Sequence, residues 1–295
     1  MMNSIIELLM LPFVQRMFFA AVLASFSCGI IGSFIVVKRL VFLSGGIAHT
    51  TFGGIGLAYY LQYSMGWIWF DPLVGALLFA VLTAIIMSIP FIKSRIRDDS
   101  TIGVLWVIGM ALGIILLNLV DKNVILVQDP VSILFGNILL IQLSDLYLMI
   151  ILIIIILIIT SVFFKDLQIL AFDEQFARIS GINVSLLNFI LLILVALTTV
   201  VLIKVVGVVL VIAMLTIPAA MAGLVVQSLK QMIGLAIVFG VATSFTGSML
   251  SLMFNLPPGS TIVMVMGLLF IALLIIKTMI SRIKQVKNAK KITFS

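Results

Sequence analysis

Charge is what this sequence has least of: Asp, Glu, Lys and Arg together make up 9% of its residues. A water-soluble domain carries about 25%, because a folded surface in water must be covered with polar groups. With 64% hydrophobic residues over 295 positions and a mean hydropathy of +1.42, the apolar excess is too large for a protein core. Lipid has to cover the rest. Alternation is missing too. A membrane β-barrel shows segments of about 10 residues switching between apolar and polar, whereas the apolar runs here are long and unalternated, as at 148–164 and 262–276. Backbone amides in hydrocarbon need internal partners, so helices remain. The expected fold class is all-α, a polytopic transmembrane helical bundle.

Other scarcities narrow the chemistry. Cys28 is the single cysteine, which excludes an intrachain disulfide and a cysteine-built metal site. No Gly-x-x-x-x-Gly-Lys-[Ser/Thr] phosphate loop occurs, so the chain is not expected to hydrolyse ATP itself. The sole histidine has no sequence-local nucleophile or acid beside it. That leaves a membrane-embedded enzyme poorly supported and gives no catalytic residue to name. The net charge of +7 does not point to nucleic acid, because the basic residues lie mostly at the ends of apolar runs. A cleaved signal peptide is not expected either. The first run, 18–37, ends in Lys38-Arg39 and outlasts the roughly 7–15 residues of a signal core.

A crossing takes about 20 apolar residues. That measure predicts nine spans, near 14–37, 41–64, 72–92, 101–120, 145–164, 186–205, 207–226, 232–254 and 260–280, plus a partial helix over 131–142. Lys38 and Arg39 follow the first span, Lys93, Arg95 and Arg97 the third, Lys165 and Arg178 the fifth, and Lys230 the seventh. The tail adds Arg282, Lys284, Lys287, Lys290 and Lys291. With alternating spans these all share one side, opposite Arg16, Lys122 and Lys204. The positive-inside rule then puts the N-terminus outside and the C-terminus in the cytoplasm of a cell membrane. The chain 1–295 reads as one transmembrane domain, with a cytoplasmic connection at about 166–185 and a basic tail at about 281–295. The tail is placed to meet anionic membrane lipids, each Lys or Arg near the surface contributing about 1 kcal/mol.

Within this apolar frame a few residues stand out. His49 lies about 14 Å along a helix starting near Leu40, a depth at which an ionisable side chain is a functional candidate. Imidazole ligates zinc and other transition metals; the plainer reading is a neutral histidine hydrogen-bonded between helices. Gly45-Gly46 and Gly53-Gly54-Ile55-Gly56 admit two readings as well. Small residues let membrane helices approach, and Gly45-Gly46 can instead unwind the helix and expose carbonyls to an ion. Residues 172–181 form a short charged segment that is helix-competent, with Gly181 placed as a C-terminal cap. Phe172, Phe176 and Ile179 fall on one face by spacing, and the acidic pair Asp173 and Glu174 argues against anionic lipid, so a protein groove is the better partner. Pro218 interrupts the seventh span and is a kink and gating candidate. Pro257-Pro258-Gly259 reads as an external turn.

Taken in order, these segments resemble the permease subunit of metal-importing ABC transporters, the zinc and manganese uptake family. The likeness runs through Gly32-Ser33-Phe34-Ile35-Val36-Val37-Lys38-Arg39, Ser44-Gly45-Gly46-Ile47-Ala48-His49 and Leu134-Phe135-Gly136-Asn137-Ile138-Leu139. It continues through 172–181, Val206-Gly207-Val208-Val209-Leu210-Val211, Pro218-Ala219-Ala220 and Leu256-Pro257-Pro258-Gly259. The resemblance implies a homodimeric permease bound to cytoplasmic ABC ATPase subunits that use the ATP. It also implies an extracytoplasmic solute-binding protein delivering the transported ion, Zn or Mn. The family's coupling helix would be carried by Asp173, Glu174, Phe176, Ala177, Arg178 and Gly181, and its pore histidine by His49. One position departs. Members often place an aspartate four residues before that histidine, where this chain has Gly45, so one carboxylate of an i, i+4 metal grip is gone. Backbone carbonyls, His49 from both protomers, or a carboxylate such as Asp129 are the candidate replacements; the alternative is passage without a strong site. The alternatives are a related permease for a metal chelate such as a siderophore or corrinoid, and a stand-alone membrane carrier or enzyme.

Overall fold

The computed structural model describes residues 10–89, 98–120 and 141–292. The described residues are helical, without strands. In chain order the helices are α1 (Pro12–Val37), α2 (Val41–Ser64), α3 (Pro72–Ser88), α4 (Asp98–Leu119), α5 (Leu143–Val162), α6 (Phe164–Phe172), α7 (Glu174–Ile179), α8 (Val184–Val206), α9 (Val208–Val225), α10 (Leu229–Phe254) and α11 (Pro258–Ile292).

Local chemistry sets the ends. Pro12 and Pro72 open α1 and α3 at positions where a missing N–H costs nothing. Asp71 caps α3 by accepting from the Leu73 N–H at 2.8 Å, and Asn183 caps α8 through the Leu186 N–H at 3.1 Å. The α1–α2 corner closes with the Leu40 N–H on the Ile35 carbonyl at 2.9 Å and the Arg39 N–H on Val36 at 3.1 Å. Arg39 takes the left-handed position (φ 58°) that a turn of this kind requires. Gly207, at φ 80°, separates α8 from α9.

Of the nine expected spans, eight are found among the described residues as helices long and apolar enough to cross a membrane. The third, expected over 72–92, is the 17-residue α3. It stops because Ile89 is extended (ψ 117°) and precedes Pro90, whose ring disfavours a helical neighbour. The last helix exceeds its expected 260–280 at both ends. Pro258 and Gly259 are its first residues rather than a turn, and the turn is made instead by Asn255, left-handed at φ 53°. At the far end nothing after Gly267 breaks it, and Lys and Arg sustain a helix well. The expected partial helix at 131–142 lies outside the described residues except for Ile141 and Gln142, and Asp129 lies outside them entirely.

The bundle has a core and a rim. The α2 span is 83% buried and the α11 span 17%, so α2 is enclosed while α11 faces outward. Helix α2 packs between α3 and α4 and also meets α8 and α9; α1 packs on α5, α9 and α10. Basic residues collect at one end. Lys38 in the α1–α2 corner reaches Asn188 of α8 and lies 4.0 Å from Glu174 of α7. There too the Lys230 ammonium sits 5.5 Å from the Phe164 ring, and the Lys277 ammonium donates to the Leu224 carbonyl.

Candidate functional site

The site is built on α2. Its middle is a seam of glycines set directly against backbone. A methyl group at Gly54 would run into the Gly75 carbonyl of α3, and one at Gly75 into Gly54. Toward α4, a Cβ at Gly53 would lie 2.7 Å from the Gly109 oxygen, and one at Gly56 2.7 Å from that of Gly113. The Thr83 hydroxyl donates to the Thr50 hydroxyl at 3.0 Å and joins α3 to α2 across the same level. The pairings advance together on α2 and α4 and in opposite senses on α2 and α3. Helices α2 and α4 therefore run parallel, and α3 runs antiparallel to both.

Nearer its start, α2 changes character. It is unbroken through Gly45 and Gly46, so the chain does not unwind there. Gly46 is tight against α4, a Cβ lying 2.6 Å from Ile102 Cγ2. Gly45 is not: a Cβ there meets Trp106 Cζ3 at 3.6 Å, an ordinary contact. One turn on, His49 is half-buried and its imidazole lies flat on the Trp106 indole, ring centroids 4.2 Å apart and 11° from parallel. The Trp106 N–H is directed at Met110 Sδ, 3.1 Å away. His49 Nδ1 is buried and has no hydrogen-bond partner among the described residues. No group of three or more His, Cys, Asp or Glu side chains assembles among those residues.

The connection between α5 and α8 is two short helices meeting at Asp173. Asp173 is extended (φ −149°) and its carboxylate accepts from the Gln175 and Phe176 N–H groups, both at 2.9 Å. It therefore caps α7 rather than belonging to it. Phe172 ends α6, and Phe176 and Ile179 lie on α7; all three are exposed, by 59%, 52% and 83%. Ala177 is fully buried and holds α7 to the bundle. Arg178 and Glu174 pair at 3.0 Å on the exposed side. At the close of α7 the Ile182 N–H reaches the Ala177 carbonyl (3.1 Å) and the Gly181 N–H that of Arg178 (3.2 Å). Gly181 supplies the left-handed φ of 79° that this double turn needs. Lys165, Gln168, Ile169, Phe172, Asp173 and Phe176 line an open depression of about 460 Å³ beside it. Pro218 is buried within α9, which is helical on both sides of it.

Three features escaped the sequence reading. Trp106 is one aromatic among many until α4 is laid beside α2. Lys38 was given no structural role, yet its side chain is 8% exposed and ties the α1–α2 corner to α7 and α8. Asp145, buried in the first turn of α5, pairs with Lys204 in the last turn of α8 at 2.8 Å. A signal for that pair existed: Lys204 was one of the few basic residues opposite the rest, and an acid in an apolar run seeks a cation.

Comparison with known proteins agrees with this architecture. Residues 10–277 match the ABC 3 transport family. A probable metal transport system membrane protein of Chlamydia trachomatis is 37% identical over 266 residues, 90% of this chain and 89% of that one. The manganese transport system membrane protein MntC of Listeria monocytogenes is 34% identical over 263 residues, 89% of this chain and 90% of that one. The structure of PsaBC from Streptococcus pneumoniae in complex with Fab superposes with a TM-score of 0.79 at 33% identity, over 92% of this chain and 95% of that one. A multi-pass helical membrane protein matched over nearly its whole length in this way is placed by that match: the chain belongs to the ABC 3 transport family.

Proposed function

We propose that this chain is the permease subunit of an ATP-driven importer of divalent transition-metal ions, manganese or zinc. The family match over 10–277 carries the reading, and the relative named for manganese transport supports the choice of cargo. The chain carries no phosphate loop, so a separate cytoplasmic ATPase supplies the energy. The basic end of the bundle, where Lys38, Lys230 and Lys277 gather, faces the cytoplasm in accord with the positive-inside rule.

On this reading α7 is the coupling element. Its exposed Phe176 and Ile179, with Phe172 of α6, enter a groove of the ATPase, while Ala177 and the Gly181 turn fix it to the bundle. Lys38 passes its displacement to α1 and α8 through Glu174 and Asn188. Two permease chains and two ATPases form the unit, and closure of the ATPases draws the two coupling helices together and opens the cavity outward. A solute-binding protein releases the ion there, and it passes His49, a half-buried imidazole on α2.

The test is uptake by the permease reconstituted with its ATPase in liposomes. ATP-dependent accumulation of radiolabelled Mn(II) or Zn(II) is expected; accumulation without the ATPase, or none with it, overturns the reading. His49→Ala is expected to lower uptake at limiting ion by about tenfold, the scale on which metal affinity responds to loss of ligand geometry. Assembly with the ATPase should survive, and wild-type uptake by this variant removes His49 from the pathway.

A further inference from the structure

We propose that Trp106 is the positioning residue of the His49 site, holding the imidazole plane by stacking where the chain has no carboxylate at position 45. This rests on the permease reading. An imidazole on a helix turns about two torsions, and a metal site normally fixes it through a hydrogen bond from its second nitrogen to a carboxylate or carbonyl. Nδ1 makes no such bond among the described residues. What orients the ring is a face contact instead, 4.2 Å between centroids and 11° from parallel. A stack of this kind fixes the plane of a ring while using only its face.

The indole is itself held. Its N–H is directed at Met110 Sδ, and the helix that carries it is locked to α2 by Gly109 and Gly113, which stand against Thr50, Phe52 and the seam glycines. Trp106 sits one turn before Gly109, at the level of Gly45 and His49. The nearest described atom to a Cβ at Gly45 is the Trp106 ring, at 3.6 Å. Packing of α2 on α4 therefore does not demand glycine at 45, unlike Gly46, Gly53 and Gly56. The position is bare and the indole borders it. A divalent cation reaching this level of α2 meets an imidazole edge beside an aromatic face, rather than an imidazole and a carboxylate.

The experiment uses the reconstituted complex and the ion it takes up. Trp106→Ala is expected to raise KM for that ion about tenfold, the usual cost of losing a group that orients a ligand, with kcat within about twofold. Trp106→Phe, which keeps a ring to stack, should recover most of the loss. A second readout is spectroscopic. Of the three tryptophans, Trp67 and Trp69 stand together in the α2–α3 connection, so the double variant Trp67→Phe/Trp69→Phe leaves Trp106 as the sole tryptophan of the chain, and its emission is read on the purified permease. Titration with Mn(II) or Zn(II), whichever is transported, should change its emission, and His49→Ala should abolish the change. An unaltered KM in Trp106→Ala, or an emission change that persists in His49→Ala, overturns the proposal while the permease reading stands. Absence of both uptake and binding in the parent complex would instead strike the permease reading itself. Should Trp106→Ala fail to assemble, Trp106→Phe and the emission titration decide.

Discussion

Two stretches of α2 face α4 a couple of turns apart, and they are built on opposite principles. Over 53–56 the helix touches its neighbours backbone to backbone, with glycine on both sides of each crossing: Gly53 to Gly109, Gly54 to Gly75, Gly56 to Gly113. Over 45–49 the contact is made by rings, the Trp106 indole lying on His49 and reaching to Gly45. The difference follows from the solvent. Lipid tails are as apolar as leucine, so helices in a bilayer gain little by burying leucine against leucine and associate instead through close van der Waals approach and polar contacts. Glycines permit that approach, and the seam fixes the register of α2, α3 and α4. With register fixed there, the helix can carry a polar ring nearby that is free of packing duty, as a site on rigid elements requires.

The comparison breaks first at Gly54. A methyl group there meets the Gly75 carbonyl, and neither backbone can rotate away. Gly54→Ala is expected to destabilise the permease by about 3 kcal/mol, the upper part of the range for overpacking, read as a large drop in the melting midpoint of the purified protein in detergent. A variant that melts with the parent would mean the seam yields, and the registry argument would go with it.

A smaller effect is expected at the far end of the bundle, where two helices meet through charge rather than through glycine. Lys204→Met leaves the Asp145 carboxylate buried without its ammonium partner. Removing one member of a buried pair costs about 3–5 kcal/mol, but the Lys204 side chain is 44% exposed, so water screens the site and about 1–2 kcal/mol is expected. Adding Asp145→Asn should restore part of it, and a double-mutant cycle measures the coupling. A cycle that closes on zero would make the ion pair a surface ornament.

How much of this the sequence announced depends on whether a feature is local. Long apolar runs and caps are local signals, and most of the helices follow them to within a few residues, with Gly181 closing α7 as its chemistry predicts. The exceptions are local as well. Pro258 looked like a turn because Pro-Pro-Gly punctuates loops, but proline is equally at home in the first turn of a helix. His49 was legible because it is the only histidine in an apolar helix. Its neighbour was not: Trp106 is 57 positions away, and its relation to His49 exists only once the seam has set α4 beside α2. Lys38 was misjudged for a related reason. At a span end a lysine satisfies the topology rule whether its head group is in water or held by Asn188, and the two cases read identically.

The smallest expected effect is the most discriminating, because it separates two glycines that look alike on paper. At Gly45 an added Cβ makes only the ordinary 3.6 Å contact with Trp106, and alanine is favoured over glycine within a helix by about 1 kcal/mol. Gly45→Ala should therefore melt with the parent or slightly above it, under the same detergent conditions that expose Gly54→Ala. Gly46→Ala falls between them, because the atom it meets at 2.6 Å is the Ile102 Cγ2 methyl, on a side chain that can turn aside. The ordering Gly54, Gly46, Gly45 depends on what each missing side chain would touch: a carbonyl, a methyl, the edge of a ring. If Gly45→Ala destabilised as severely as Gly54→Ala, contact would not be the cause. The glycines of α2 would then act through the flexibility they lend the helix, and the division between a glycine seam and a ring-packed stretch would have no physical basis.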